Sequence, residues 1–153
     1  EASRRRAQIS RVEGVIRKAW CDVLAAQVTR ADFTGVVENV RDIRSRLQGL
    51  VPRRPDLHTQ MDQSINVTLL EQMAEHQALQ PSDFVTYASA MYDWVQRLGA
   101  PVDDQAVQEE LDKLRRTDAS ALGDVIAGVL LDVHLRIDHI LALIQEAHPR
   151  TVL

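Results

Sequence analysis

At 153 residues the chain has the size of one domain, and a core of that size hides about 68–70% of the surface an unfolded chain exposes, so no staple is needed. Its one cysteine, Cys21, can close no intrachain disulfide and stands in no metal-ligand spacing, which excludes a disulfide scaffold or zinc finger and points to a reducing compartment. The net charge of −4 is uneven: residues 1–18 set Arg4, Arg5, Arg6, Arg11, Arg17 and Lys18 against Glu1 and Glu13, a local +4 that leaves −8 for the rest.

The longest apolar run, from Val125 to Leu131, stops at Asp132. That is far short of the roughly 18 apolar residues a membrane span needs, so a cytoplasmic protein with no transmembrane segment is expected. The arginine-rich start lacks the apolar core of a secretory signal. Because the chain begins at Glu1 and not at a methionine, it reads as a fragment of something longer.

Apolar residues recur at spacings of three and four throughout, while strand-like alternation and hairpin dipeptides are absent. This predicts an all-α fold, a single domain over 1–153 of six or seven helices. The first is expected from about Arg4 to Val28, with Ile9, Val12, Ile16, Ala19 and Val23 on one stripe, widened by Trp20 and Leu24 and assigned to the core. The second follows Asp32, whose carboxylate suits an N-cap. It carries Val36, Val40, Ile43, Leu47 and Leu50, stops at Pro52, and turns Arg41, Arg44 and Arg46 to water.

Leu57, Met61 and Ile65 mark a short helix, and Asn66 caps a segment bearing Leu69, Leu70 and Met73; the two read equally as separate helices or one broken one. Pro81 suits a first helical turn, with Phe84, Ala88, Met91, Val95 and Leu98 as the stripe and Gly99 and Pro101 as the stop. Asp103 and Asp104 complement the dipole of the next helix, which buries Val107, Leu111 and Leu114 and ends in Lys113, Arg115 and Arg116. The last helix runs from about Asp118 to Ala147. Leu122, Ile126, Val129, Val133, Ile137, Ile140 and Ile144 form its stripe, and Leu130, Leu131, Leu135, Leu141 and Leu143 a second apolar face. This helix is therefore either central or a docking surface.

No catalytic, cofactor-binding or metal-binding set emerges. His134 and Asp138 share a helix face beside His139, but a zinc site needs three or four convergent ligands, and a surface or hydrogen-bonding role is the better reading. Glu75 and His76 are adjacent and so point about 100° apart. Cys21 reads as a small buried hydrophobe, and no glycine-rich phosphate loop exists. The basic first helix resembles a calmodulin-target or anionic-membrane helix. A solvated face on a core helix is the preferred alternative, and the acidic remainder argues against nucleic acid.

Several segments in order carry a family resemblance. Ala74, Glu75, His76, Ala78 and Leu79 are followed by Ala100, Pro101, Val102, Asp104, Ala106 and Val107. Earlier come Lys18-Ala19-Trp20-Cys21-Asp22 and the helix from Glu38 to Leu50 with Pro52; later comes the segment from Leu131 to Asp138. From Val12 to Ile144 this pattern resembles the T-complex protein 11 family. Gly99 stands where the family has cysteine, Asp103 where it has arginine, and His139-Ile140-Leu141 where it has Met-Ala-Asn. The resemblance implies a non-enzymatic helical protein, usually longer than this chain, without a cofactor. It further implies a regulator or adaptor of cyclic-AMP and protein-kinase-A signalling, or a structural subunit of a sperm flagellar or cytoskeletal assembly. The expected partners are a kinase-pathway component, calmodulin or an axonemal protein. The expected contact residues are Arg4, Arg5, Arg6, Arg11 and Arg17, with Arg136 and Asp138 on the family's basic and acidic positions.

Overall fold

Seven helices and no strand make up the described part of the computed structural model, which covers residues 1–99, 104–118 and 120–147. They are α1 (Ala2–Thr29), α2 (Thr34–Leu50), α3 (Pro55–Ser64), α4 (Val67–Glu75), α5 (Pro81–Leu98), α6 (Asp104–Arg116) and α7 (Leu122–Ala147). The all-α expectation holds. Local chemistry sets several ends: the expected Asp32 N-cap falls one residue early, since Phe33 caps α2 without a side-chain bond and Asp32 Oδ1 accepts the Thr34 N–H at 3.1 Å from just outside the helix, whereas Asn66 Oδ1 caps α4 by accepting the Leu69 N–H at 3.0 Å. That cap makes α3 and α4 two helices. Pro81 opens α5, where its missing N–H costs nothing, while the Asp83 carboxylate accepts the Gln80 N–H at 2.8 Å. Gly99 ends α5 with its N–H on the Val95 carbonyl at 2.9 Å. The expected features at Pro101 and Asp103 lie outside the described residues.

α7 lies at the centre, packed against α1, α2, α5 and α6. Ile126, Val129, Leu130, Val133, Ile137 and Ile140 are buried on it. They meet Val36, Val40, Ile43 and Leu47 of α2, the α5 face from Phe84 to Val95, and Val107, Leu111 and Leu114 of α6 in one core. Each such aliphatic side chain contributes about 1.5–3 kcal/mol. Leu130, assigned to the second face, is thus core, whereas Leu143 and Ile144 near the end are 37% and 40% exposed. Aromatic residues that enter the core bring satisfied polar tips: Tyr87 Oη donates to the Asn66 carbonyl at 2.6 Å and Trp94 Nε1 to Ser64 Oγ at 2.7 Å.

Two sequence-based assignments are overturned. The stripe on α1 is not core: Ile9, Val12, Ile16 and Val23 are 58%, 55%, 61% and 61% exposed, and every residue from Glu1 to Ala19 is exposed. α1 buries Leu24, Ala25 and Val28 instead, with Trp20 and Cys21 packed beside them. At 100° per residue the two faces are centred about 130° apart, so the helix carries two apolar sides and only the C-terminal one meets the domain. α7 runs back antiparallel to this end, with Gly123 against Ala25, Cys21 Sγ 3.9 Å from the Ala127 carbonyl, and Trp20 against His134. A Cβ on Gly123 would sit 2.6 Å from the Ala25 carbonyl oxygen, so the close approach requires glycine.

The second concerns Arg44 and Arg46, which were expected to face water. Arg44 donates to the Ile65 carbonyl at 3.2 Å and pairs with Asp62 at 3.3 Å; Arg46 reaches across to α7. Their side chains are 23% and 25% exposed, against 47% for Arg41. Long aliphatic stems allow a charged head to be held at a helix interface where carboxylates and carbonyls accept its protons.

Candidate partner-binding surface

The charged residues singled out from sequence divide into two groups. Arg4, Arg5, Arg6, Arg11 and Arg17 all lie on the exposed part of α1. Arg17 is 4.0 Å from Glu13 and Lys18 is 2.8 Å from Asp22, both on the surface, while Arg4, Arg5, Arg6 and Arg11 form no ion pair among the described residues. Surface pairs of this kind contribute little to stability.

Arg136 and Asp138 are not brought together. Arg136 Nε donates to Asp132 Oδ2 at 2.8 Å and its guanidinium lies 5.7 Å from the Tyr92 ring centre. Asp132 also accepts the Tyr92 hydroxyl at 2.7 Å; burial first, and then that contact, push the phenol far above its usual range. Asp138 instead accepts from Arg46 across the α2–α7 interface. Arg136 thus has its carboxylate partner within α7 and Asp138 its cation on α2.

A polar cluster that the sequence did not reveal surrounds His134. Arg46 Nη1 lies 2.9 Å from His134 Nδ1, His134 Nε2 is 3.1 Å from Asn39 Oδ1, and the Trp20 ring meets the imidazole edge-on at 6.2 Å. Asn39 Nδ2 donates to the Gly35 carbonyl at 2.8 Å, which leaves its Oδ1 to accept. The imidazole therefore carries its proton on Nε2 and accepts from Arg46 on Nδ1, the neutral form. Burial first, then the Arg46 charge, lowers its pKa, with Asp42 and Asp138 opposing. The cluster ties α1, α2 and α7 together. Asn39 and Arg46, seven residues apart on one flank of α2, were the available signal.

Glu75 ends α4 and His76 caps it, both exposed. Burial raises the pKa of the Cys21 thiol, the opposite of nucleophile activation. Among the described residues no three His, Cys, Asp or Glu side chains converge as metal ligands, and no helix is long and apolar enough to cross a membrane.

What remains unaccounted for within the domain is the exposed side of α1. Five of the eight large hydrophobic residues exposed among the described residues belong to it: Ile9, Val12, Val15, Ile16 and Val23. From Ala19 onward that side continues into a depression of about 360 Å³ between α1 and α2, lined by Trp20, Val23, Leu24, Gly35 and Asn39.

Comparison with known proteins bears on the same helix. A human protein, "T-complex protein 11 homolog", is 33% identical over 103 residues, 65% of this chain and 20% of that protein, so the chain spans about a fifth of its relative's length. No solved structure matches. The T-complex protein 11 family model matches residues 3–146, from the first turn of α1 to the last of α7, and the chain belongs to that family.

Proposed function

We propose that this chain is a non-enzymatic helical interaction module, acting as a regulator or adaptor in cyclic-AMP-dependent kinase signalling. The observation that carries the interaction role is the exposed α1 side, since an apolar stripe of this length is unfavourable in water unless something covers it. The signalling context is what the family resemblance implies, and the match over residues 3–146 supports the membership on which it rests. Affinity capture from germ-cell extract tests it, comparing the chain with its Ile9→Asp/Ile16→Asp variant and identifying the proteins retained. Kinase subunits retained by the first and lost by the second are the expected result. Recovery of none that depends on the stripe would sink the reading.

A second reading, a structural subunit of a flagellar or cytoskeletal assembly, is favoured by Leu143 and Ile144, exposed at the end of α7. Axonemal proteins in the same capture, lost on Leu143→Asp/Ile144→Asp, would replace the signalling role with this one.

A further inference from the structure

We infer that the exposed side of α1 and the α1–α2 groove receive an amphipathic helix whose apolar ridge is flanked by aspartate and glutamate. This rests on the interaction-module reading and specifies its partner. The stripe from Ile9 to Val23 spans about 21 Å of helix, so about 14 residues of a partner helix would cover it. Its anchors, Ile9, Val12, Ile16 and Val23, are three, four and seven apart, the periodicity by which one helix meets another.

The charge around the stripe selects the partner's sign. Arg4, Arg11 and Lys18, seven apart, run as a row along one edge, and Arg6 and Arg17 stand on the other side. Arg4, Arg6 and Arg11 have no carboxylate partner among the described residues. A helix with acidic flanks would meet these cations while its ridge covers the stripe, and opposite charge accelerates encounter.

The shape of the surface selects the partner's form. At its C-terminal end the stripe meets the depression between α1 and α2, where Val23 lies beside Trp20, Gly35 and Asn39. The exposed apolar residues of α1 are isoleucine and valine, and its Trp20 is turned inward onto His134, so the aromatic anchors typical of interfacial helices are missing. A second copy of this chain would set two segments of charge +4 against each other.

The test uses three probes against the full chain. The first is a fluorescent 18-residue helical peptide with leucines at helical spacing and glutamates on both flanks. The second is the same peptide with lysine for glutamate, and the third is vesicles of phosphatidylcholine and phosphatidylserine. The acidic peptide is expected to bind at least tenfold more tightly than the basic one, to lose at least tenfold on Ile9→Asp/Ile16→Asp, and to weaken with added salt and on Arg4→Glu/Arg11→Glu. Circular dichroism should show both variants folded as wild type. Equal binding of the two peptides, or binding untouched by Ile9→Asp/Ile16→Asp, overturns the proposal. So does stripe-dependent binding to vesicles without peptide binding, or stripe-dependent self-association in sedimentation. If the variant loses the acidic peptide but still captures kinase subunits from extract, the surface binds acidic helices as inferred and the signalling reading fails.

Discussion

Two substitutions to aspartate, at positions that sequence periodicity treats alike, should differ in outcome because one faces the core and the other water. Val133 is fully buried on α7, the helix packed against α1, α2, α5 and α6, and no charged residue is buried in that core among the described residues. Val133→Asp gives up roughly 1.5–3 kcal/mol of apolar burial and adds several kcal/mol for a desolvated carboxylate. Against a typical domain stability of about 5–15 kcal/mol, that removes most or all of the fold. Ile16 is 61% exposed, so Ile16→Asp loses only the small difference in helix propensity, about 0.5 kcal/mol, or roughly 2 °C in Tm for a chain of this size. Thermal melts followed by circular dichroism at 222 nm measure both. Val133→Asp melting cooperatively within a few degrees of wild type would remove α7 from the centre. Loss of structure on Ile16→Asp would show that the α1 stripe is core after all.

Three further outcomes follow from particular contacts. The pKa of His134 is lowered from its ordinary value near 6.5 by burial and Arg46, so the unfolded chain takes up a proton first as pH falls; stability is retained above pH 6.5 and declines below it. Tm measured at pH 7.5 and 5.5 should show a smaller drop for His134→Ala than for wild type, and an equal drop would refute the assignment. Gly14→Ala, where an added methyl meets nothing within 4 Å, should stabilise α1 by about 0.5–1 kcal/mol, whereas Gly123→Ala gains the same propensity but forces α1 off α7, a net loss of about 1 kcal/mol or more in urea denaturation. Tyr92→Phe should cost about 1 kcal/mol by the same measurement, because Asp132 keeps Arg136 after losing the hydroxyl, and a neutral result would show the bond to be dispensable.

The parts of the fold that sequence made legible are those in which local chemistry and burial agree. Pro81, Asn66 and Gly99 set helix ends through their own backbone requirements, and the stripes of α2, α5, α6 and α7 fall on the core with few exceptions. Arg44 and Arg46 were misplaced because a charge on a helix flank reads as solvated until the opposing element is known; only the fold brings Asp138, His134 and the Ile65 carbonyl within reach. Arg136 and Asp138 differ in this respect: Arg136 pairs with Asp132 four residues back on its own helix, a contact that spacing alone makes legible, whereas Asp138 pairs with Arg46 across the α2–α7 interface, which only the fold reveals.

The α1 stripe is a different kind of error. A period of 3.6 residues reports that one side of a helix avoids water; it carries no information about whose surface covers that side. α1 has two such sides. Leu24 and Val28 settle into the domain because α7 presents Gly123 and Ala127 to their end of the helix, and small residues let the two helices approach closely. The longer run through Ile9, Val12 and Ile16 has no counterpart in the described residues. A helix of about five turns standing free in water is marginal on its own, and arginines spaced along it add mutual repulsion. Both costs fall when an acidic, apolar-ridged helix lies along it, so association should raise the helicity of residues 2–19. Amide hydrogen exchange would register this as protection confined to that segment; protection spread evenly over all seven helices would instead mean that binding stabilises the domain as a whole and that α1 is not where the partner sits.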